Sequence, residues 1–387
     1  MLTNKMEEKM SISDLYFEKI FKDENFSLPK KRKEKDFLEE LKNLFNEYIK
    51  KLIKDQKEVL KDENSFAFFC DVKNVTDLLI ESVDNYLNGF PAKALESFNL
   101  VMKIVEKYPL HRYEKDDKEQ IIFFRAVYVN DENISYDRTR VFHTPYDLRS
   151  KVSTSRFSIA GYPSLYLSTS LELCCEEIKC NEKNDRIIAS AFKIRRKNDN
   201  QRIKIQVVEL GIKPQDFFDL DNTNGNKRLK RVRQVLEQKI TKSNYLIWYP
   251  LIAACSFIRK EKEDPFAVEY IIPQLLMQWL RNEINKKEKI GTELIGIRYF
   301  SCASFEASNM GLNYVFPTSR VSKFKYYPYC GMLARTFCLT KPVYIDEYES
   351  VLKCEEELTK FDDKEYLHID ENLKLNKDEI PLFMEHS

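Results

Sequence analysis

From Phe37 onward the apolar residues Leu41, Leu44, Phe45, Tyr48, Ile49, Leu52 and Ile53 recur at helical spacing with lysines and glutamates between them. That stripe predicts an amphipathic helix. A second stripe of Val75, Leu78, Leu79, Val83, Tyr86 and Leu87 stops at Gly89, and Pro91 opens a third that carries Leu95, Phe98, Met102 and Val105. A proline at a helix start and a glycine past a helix end are the expected punctuation of an αα-hairpin. No repeat of fixed period is visible, and no acid, base and nucleophile gather around a turn, so residues 1–115 read as a helical regulatory or oligomerisation domain.

The pattern changes at Ile121, where Ile-Ile-Phe-Phe-Arg-Ala-Val-Tyr has the composition and length of a buried strand with Arg125 in its middle. Gly161 and Pro163 mark a turn, and Leu165 to Thr169 reads as a short strand. Thr169 and Glu172 have capping-box spacing and open a helix from Leu171 to about Cys180, with Leu173, Cys174, Glu177 and Ile178 on or beside one face. Further strands are expected at Ile187 to Ile194 and Ile203 to Leu210, and a buried helix at Tyr245 to Ile258. A helix through Glu269 to Trp279 and a strand at Leu294 to Tyr299 follow, with Ser301 just past the strand end. The ordering is α+β without regular βαβ alternation, and residues 347–387 read as an acidic, partly solvated C-terminal tail.

Charge and composition narrow the function classes. Lys plus Arg number 63 against 62 Asp plus Glu, so no global field draws the chain to nucleic acid or anionic lipid. The basic run Lys30 to Lys35 lacks interleaved aromatic residues and reads as a solvated linker. Nine cysteines form no C-x-x-C pair and sit mostly in apolar segments, which suits reduced packing residues. The four histidines are not paired at i, i+4, so no metal site is expected. The polar N-terminus and the lack of an apolar run near the roughly 18 residues of a membrane span favour a cytoplasmic protein without membrane contact. With only eight glycines and no phosphate-binding glycine loop, any dinucleotide must be held by side chains.

Taken singly, Arg125 in a strand, Arg156 before a turn, Tyr166 in the next strand and Glu177 in the following helix are ordinary. In order, Phe124-Arg125, then Arg156-Phe-Ser-Ile-Ala-Gly-Tyr-Pro-Ser-Leu-Tyr166-Leu-Ser-Thr-Ser, then Glu177, and later Tyr299-Phe-Ser301, they resemble the RES domain family. The stretches from Phe142 to Ile159, Ile271-Ile-Pro-Gln-Leu-Leu and Asn313-Tyr-Val-Phe-Pro resemble the longer RES proteins described as NAD phosphorylases. The sequence departs from small RES toxins at Ala126, where those often carry tyrosine, and at Thr154-Ser-Arg156-Phe, where a Gly-Gly-Arg-Trp run is usual.

The resemblance implies a RES domain over residues 116–346, similar to the ADP-ribosyltransferase fold, that breaks the nicotinamide–ribose bond of NAD+ by hydrolysis or phosphorolysis. NAD+ would be substrate rather than resident cofactor, with inorganic phosphate as the alternative co-substrate to water. It further implies a growth-arrest toxin or anti-phage effector with an antitoxin or regulatory protein partner. A homo-oligomer is expected, and no direct nucleic-acid binding. Two other outcomes stay open: an ADP-ribosyltransferase acting on a macromolecule, and a degenerate NAD-binding module.

The chemistry suits those residues. Bond cleavage develops an oxocarbenium-like charge on the ribose, which a nearby carboxylate stabilises. Glu177 is the candidate, its neighbour Glu176 the alternative. Arg125 and Arg156 would supply guanidinium forks for the pyrophosphate. Tyr166 would pack on nicotinamide or donate to a phosphate, and Ser301 would hydrogen-bond phosphate or ribose. Nicotinamide leaves as a neutral molecule, so no histidine acid is demanded.

Overall fold

The three apolar stripes become helices at Phe37–Ile53, Glu63–Leu87 and Pro91–Val105, and a further helix at Ile12–Phe21 precedes them. The computed structural model describes residues 12–53, 63–108, 110–114, 121–129, 135–179, 186–198, 201–202, 205–219, 227–236, 241–261, 263–286, 293–319, 328–345, 350–367 and 369. Gly89 ends the third helix with φ +84, a conformation a side chain resists, and Pro91 occupies the first turn of the next. Leu41, Leu44, Phe45, Tyr48 and Leu52 are buried along one stripe, as the spacing requires.

These helices do not close their core alone. Tyr245 and Tyr249, on the helix Lys242–Cys255, pack against Phe21, and Tyr249 lies 4.9 Å from Tyr48 between ring centres. The Tyr48 hydroxyl donates to the Leu246 carbonyl at 2.7 Å, and the Trp248 indole N–H to that of Tyr108 at 2.6 Å. The first unit therefore comprises Met1–Leu110 and Lys213–Ile272, and the second His111–Ile212 and Pro273–Ser387. The reading of consecutive domains at 1–115 and 116–346 places residues 213–272 in the later one, whereas their buried aromatic rings belong with the helices.

Two local expectations change within the first unit. The helix expected to reach Ile258 stops at Cys255, and Phe257–Ile258 pair in parallel with Lys30–Lys31. The run read as a solvated linker is thus anchored at its start. Arg32 ion-pairs with Glu269 at 3.5 Å, and burial lowers the Lys30 ammonium to about 8.

The second unit is built on a nine-stranded mixed sheet. Its strands are β1 (His111–Glu114), β2 (Phe123–Tyr128), β3 (Ser164–Ser168), β4 (Ile187–Ile194), β5 (Ile205–Leu210), β6 (Glu293–Tyr299), β7 (Asn313–Pro317), β8 (Phe337–Leu339) and β9 (Val343–Ile345). The order is β8-β4-β2-β3-β7-β6-β5-β1, with β9 also on β4, and β5–β6 is parallel. Every residue of β4 is buried, as expected of a strand covered on both faces. The helix Leu171–Ile178 packs Leu171, Cys174 and Cys175 against Phe124, Ala126, Ala189 and Ala191. Three alanines on that sheet face let the helix come close enough for the Cys174 thiol to reach the Phe124 carbonyl at 3.3 Å.

The chain after 346 is not a tail over its whole length. The helix Val351–Lys360 buries Val351, Cys354 and Leu358 in the same core, Glu355 accepts a hydrogen bond from Leu171 N at 2.8 Å, and Leu367 pairs with Leu339. Its apolar face was hidden by a net acidic composition; residues 370–387 lie outside the described ones. Among the described residues no helix is long and apolar enough to cross a membrane.

Candidate active site

A single row of paired residues runs across the sheet: Ala191, Phe124, Ser168, Asn313, Tyr299 and Leu210, on β4, β2, β3, β7, β6 and β5. Ser168 and Tyr299 end their strands and Asn313 begins its own, so three polar side chains meet at one margin of the sheet. The chain after Ser168 turns directly into the helix that carries Glu177, and the chain after Tyr299 supplies Ser301.

That helix starts one residue later than its sequence suggests. Ser170 is the cap, its hydroxyl accepting from Leu173 N at 3.3 Å. Thr169 instead extends the β3–β7 pairing: its N–H donates to the Leu312 carbonyl at 2.9 Å, and its hydroxyl accepts from Leu312 N at 3.0 Å. The Thr169–Glu172 capping box therefore does not form, because the sheet claims the threonine. The helix ends at Ile178, with Lys179 in the left-handed region at φ 57.

Glu177 is exposed, but one of its carboxylate oxygens is fixed. Ser301 Oγ donates to Oε1 at 2.7 Å, and Asn313 Nδ2 donates to the same atom at 2.6 Å. Asn313 Oδ1 in turn accepts from Ser168 Oγ, and Ser301 Oγ accepts from Ala303 N at 3.1 Å. Of the two adjacent glutamates, Glu177 is the one joined to Ser301. Ser301 itself is fully buried, and its single O–H is spent on Glu177.

Tyr166 lies on the same sheet face two residues before Ser168, and its hydroxyl is within 2.7 Å of Ser155 Oγ and 2.8 Å of Ser158 Oγ. Those serines close a tight turn by reciprocal backbone bonds of 2.9 and 3.1 Å, with Arg156 and Phe157 at its corner. Gln274 Nε2 donates to the Ser155 carbonyl at 3.1 Å and secures the turn from the helix Ile271–Lys286. Arg156 is thereby held in a buried position, and Phe157 packs on Tyr299 at 4.7 Å between ring centres. The Tyr299 hydroxyl is pushed well above its ordinary range, first by burial, then by the charges of Glu177 and Tyr166, with Arg156 opposing. One phenol thus feels three of the residues singled out from the sequence.

Arg125 is placed differently. Phe124 and Ala126 face the Leu171–Ile178 helix, so Arg125 alternates to the other side of β2. The strands β2 and β3 pair only at Phe124–Ser168, and where they part Arg125 Nη1 donates to the Tyr166 carbonyl at 3.0 Å. Among the described residues its Nε is buried without an acceptor, and burial lowers the guanidinium to about 10, leaving it charged at neutral pH. No described contact joins Arg125 to Glu177; it reaches the site through the main chain of Tyr166.

Asn313, Gln274, Ser155, Ser158 and Tyr299 were not singled out from the sequence, although all lie in stretches that carry the resemblance. The available signal was a polar residue where apolar periodicity asks for another apolar one, as Gln274 in Ile-Ile-Pro-Gln-Leu-Leu. Among the described residues no group of three or more His, Cys, Asp or Glu is placed to hold a metal ion.

No family model matches the chain, and no solved structure matches it. Over 324 residues it is 29% identical to a Bacillus subtilis (strain 168) protein named "Putative toxin YopC", an alignment covering 80% of this chain and 66% of that protein. The chain thus spans just under two thirds of the length of the curated relative it matches.

Proposed function

We propose that the protein is a toxin that degrades NAD+ by breaking the nicotinamide–ribose bond. The observation that carries this reading is the carboxylate of Glu177, exposed to incoming substrate yet locked through Oε1 by Ser301 and Asn313, with Glu177, Arg156 and Tyr166 all near enough to act on the Tyr299 hydroxyl. The toxin role draws on the similarity to the named Bacillus subtilis protein, and the NAD+ chemistry on the ordered Arg125, Arg156, Tyr166, Glu177 and Ser301 motifs that resemble the RES family.

In this reading the C1′–N bond breaks with its electron pair passing to the nicotinamide ring, which departs neutral. The positive charge left on the ribose is stabilised by Glu177, whose fixed oxygen costs no reorganisation as that charge develops. Water adds at C1′ and loses a proton, giving ADP-ribose; inorganic phosphate adds in its place to give the 1″-phosphate. Arg156 on its clamped turn supplies a cation for the pyrophosphate, and Arg125 at the parting of β2 and β3 holds the main chain of Tyr166.

Purified full-length protein incubated with NAD+, with and without phosphate, is expected to release nicotinamide, while the Glu177→Gln variant releases little and keeps its fold by circular dichroism. Chromatography of the co-product names the nucleophile. Absence of nicotinamide from the wild type, or equal release by Glu177→Gln, overturns the reading.

A further inference from the structure

We propose that Asn313 is a positioning residue that orients the Glu177 carboxylate by holding one oxygen and leaving the other for substrate. This rests on the reading of Glu177 as the charge-stabilising group. Two donors, Asn313 Nδ2 at 2.6 Å and Ser301 Oγ at 2.7 Å, converge on Oε1. No described donor reaches Oε2. A carboxylate pinned on one side has only its other oxygen to offer, so the site presents a single, directed acceptor to a sugar that carries vicinal hydroxyls.

Asn313 can do this because it is fixed at both ends. It is the first residue of β7, paired in register with Ser168 on one side and Tyr299 on the other, and is buried. The Glu177 carboxylate only accepts, which settles the amide orientation: the Asn313 nitrogen must face it, and Oδ1 is left to accept from Ser168 Oγ. Register in the sheet, a serine hydroxyl and an amide plane thus transmit the position of the strands to an exposed helical side chain. Ser301 adds a second fixed donor, itself held by Ala303 N.

The test separates orientation from mere packing. Asn313→Ala in the full chain is expected to lower kcat for nicotinamide release by up to about a hundredfold, the penalty for a reacting group misplaced by about an ångström, with KM little changed. Asn313→Asp keeps the shape. At low pH its protonated acid can donate to Glu177 as the amide does, restoring kcat towards the wild type. As pH rises and that proton leaves, two carboxylates face each other at hydrogen-bond distance and kcat falls about tenfold per pH unit relative to the wild type at the same pH. A structural role would produce no such pH-dependent rescue. An Asn313→Asp profile parallel to the wild type, or an undiminished kcat in Asn313→Ala, overturns the positioning role while leaving Glu177 in place. Undiminished release by Glu177→Gln overturns the reading of the site itself.

Discussion

Arg298 and Glu209 form an ion pair with no solvent exposure on either side chain, linking the parallel neighbours β6 and β5. Replacing Arg298 with methionine keeps an unbranched stem of similar length but strips the cation from the carboxylate. Glu209 would retain the Gly211 N–H, which donates to Oε1 at 2.7 Å, and that neutral donor cannot offset a buried charge. Breaking a buried pair from one side costs about 3–5 kcal/mol. For a unit of this size each kcal/mol lowers the midpoint by roughly 2–4 °C, so Arg298→Met should melt roughly 6–20 °C below the wild type. The double variant Arg298→Met/Glu209→Leu removes both charges and should regain most of the loss, since a well-packed apolar pair is often neutral against a buried ion pair. Thermal and urea unfolding followed by circular dichroism read both. A single variant within about 1 kcal/mol of the wild type, or a double variant no better than the single, would show that Glu209 is not stranded as a buried charge when Arg298 is lost.

Two other outcomes follow from the same geometry. His143 is fully buried, Nδ1 close to the Thr144 carbonyl at 2.8 Å and Nε2 accepting from Cys330 N at 2.8 Å, and burial lowers it to about 4. Its folded value lies below the unfolded one of about 6.5, so below that pH the unfolded chain takes up a proton that the fold refuses. Stability should fall by about 1.4 kcal/mol per pH unit between about 6.5 and 4, a slope that His143→Gln abolishes in urea titrations at stepped pH. Tyr166→Phe removes the hydroxyl shared by Ser155 and Ser158 and should loosen that turn by about 1–2 kcal/mol. Hydrogen exchange at Ser155 and Ser158 should accelerate by roughly tenfold for each 1.4 kcal/mol, and unchanged exchange would show that the reciprocal backbone bonds and Gln274 hold the turn without the phenol.

The elements whose pattern is local were legible. The stripe from Phe37, the Gly89–Pro91 break and the strand Ile187–Ile194 needed only periodicity and turn chemistry, and the structure has them where the spacing puts them. What escaped were features decided by a distant partner. Thr169 has the chemistry of a cap, but Leu312 takes both its hydroxyl and its N–H. The chain beyond 346 is acidic overall, yet its helix turns Val351, Cys354 and Leu358 inward. Residues 213–272 follow the strand β5 in sequence, and only the packing of Tyr245 and Tyr249 against Phe21 assigns them to the helices. The candidate site divides in the same way. Residue types and their order point to Glu177, Ser301, Arg156 and Tyr166, whereas the partner that fixes the carboxylate, Asn313, is found only through the register of β7 against β3.

The parallel neighbours β5 and β6 also carry a lesson about how the chain can be divided. Parallel strands cannot be joined by a tight turn, and here the connection from Leu210 to Glu293 runs through the helical unit before it returns. A fragment ending near residue 115 would leave Tyr48 and Phe21 without Tyr245 and Tyr249, and a fragment beginning there would expose those tyrosines. The helices are therefore no detachable accessory: proteolytic trimming or recombination at the obvious boundary would sever a core.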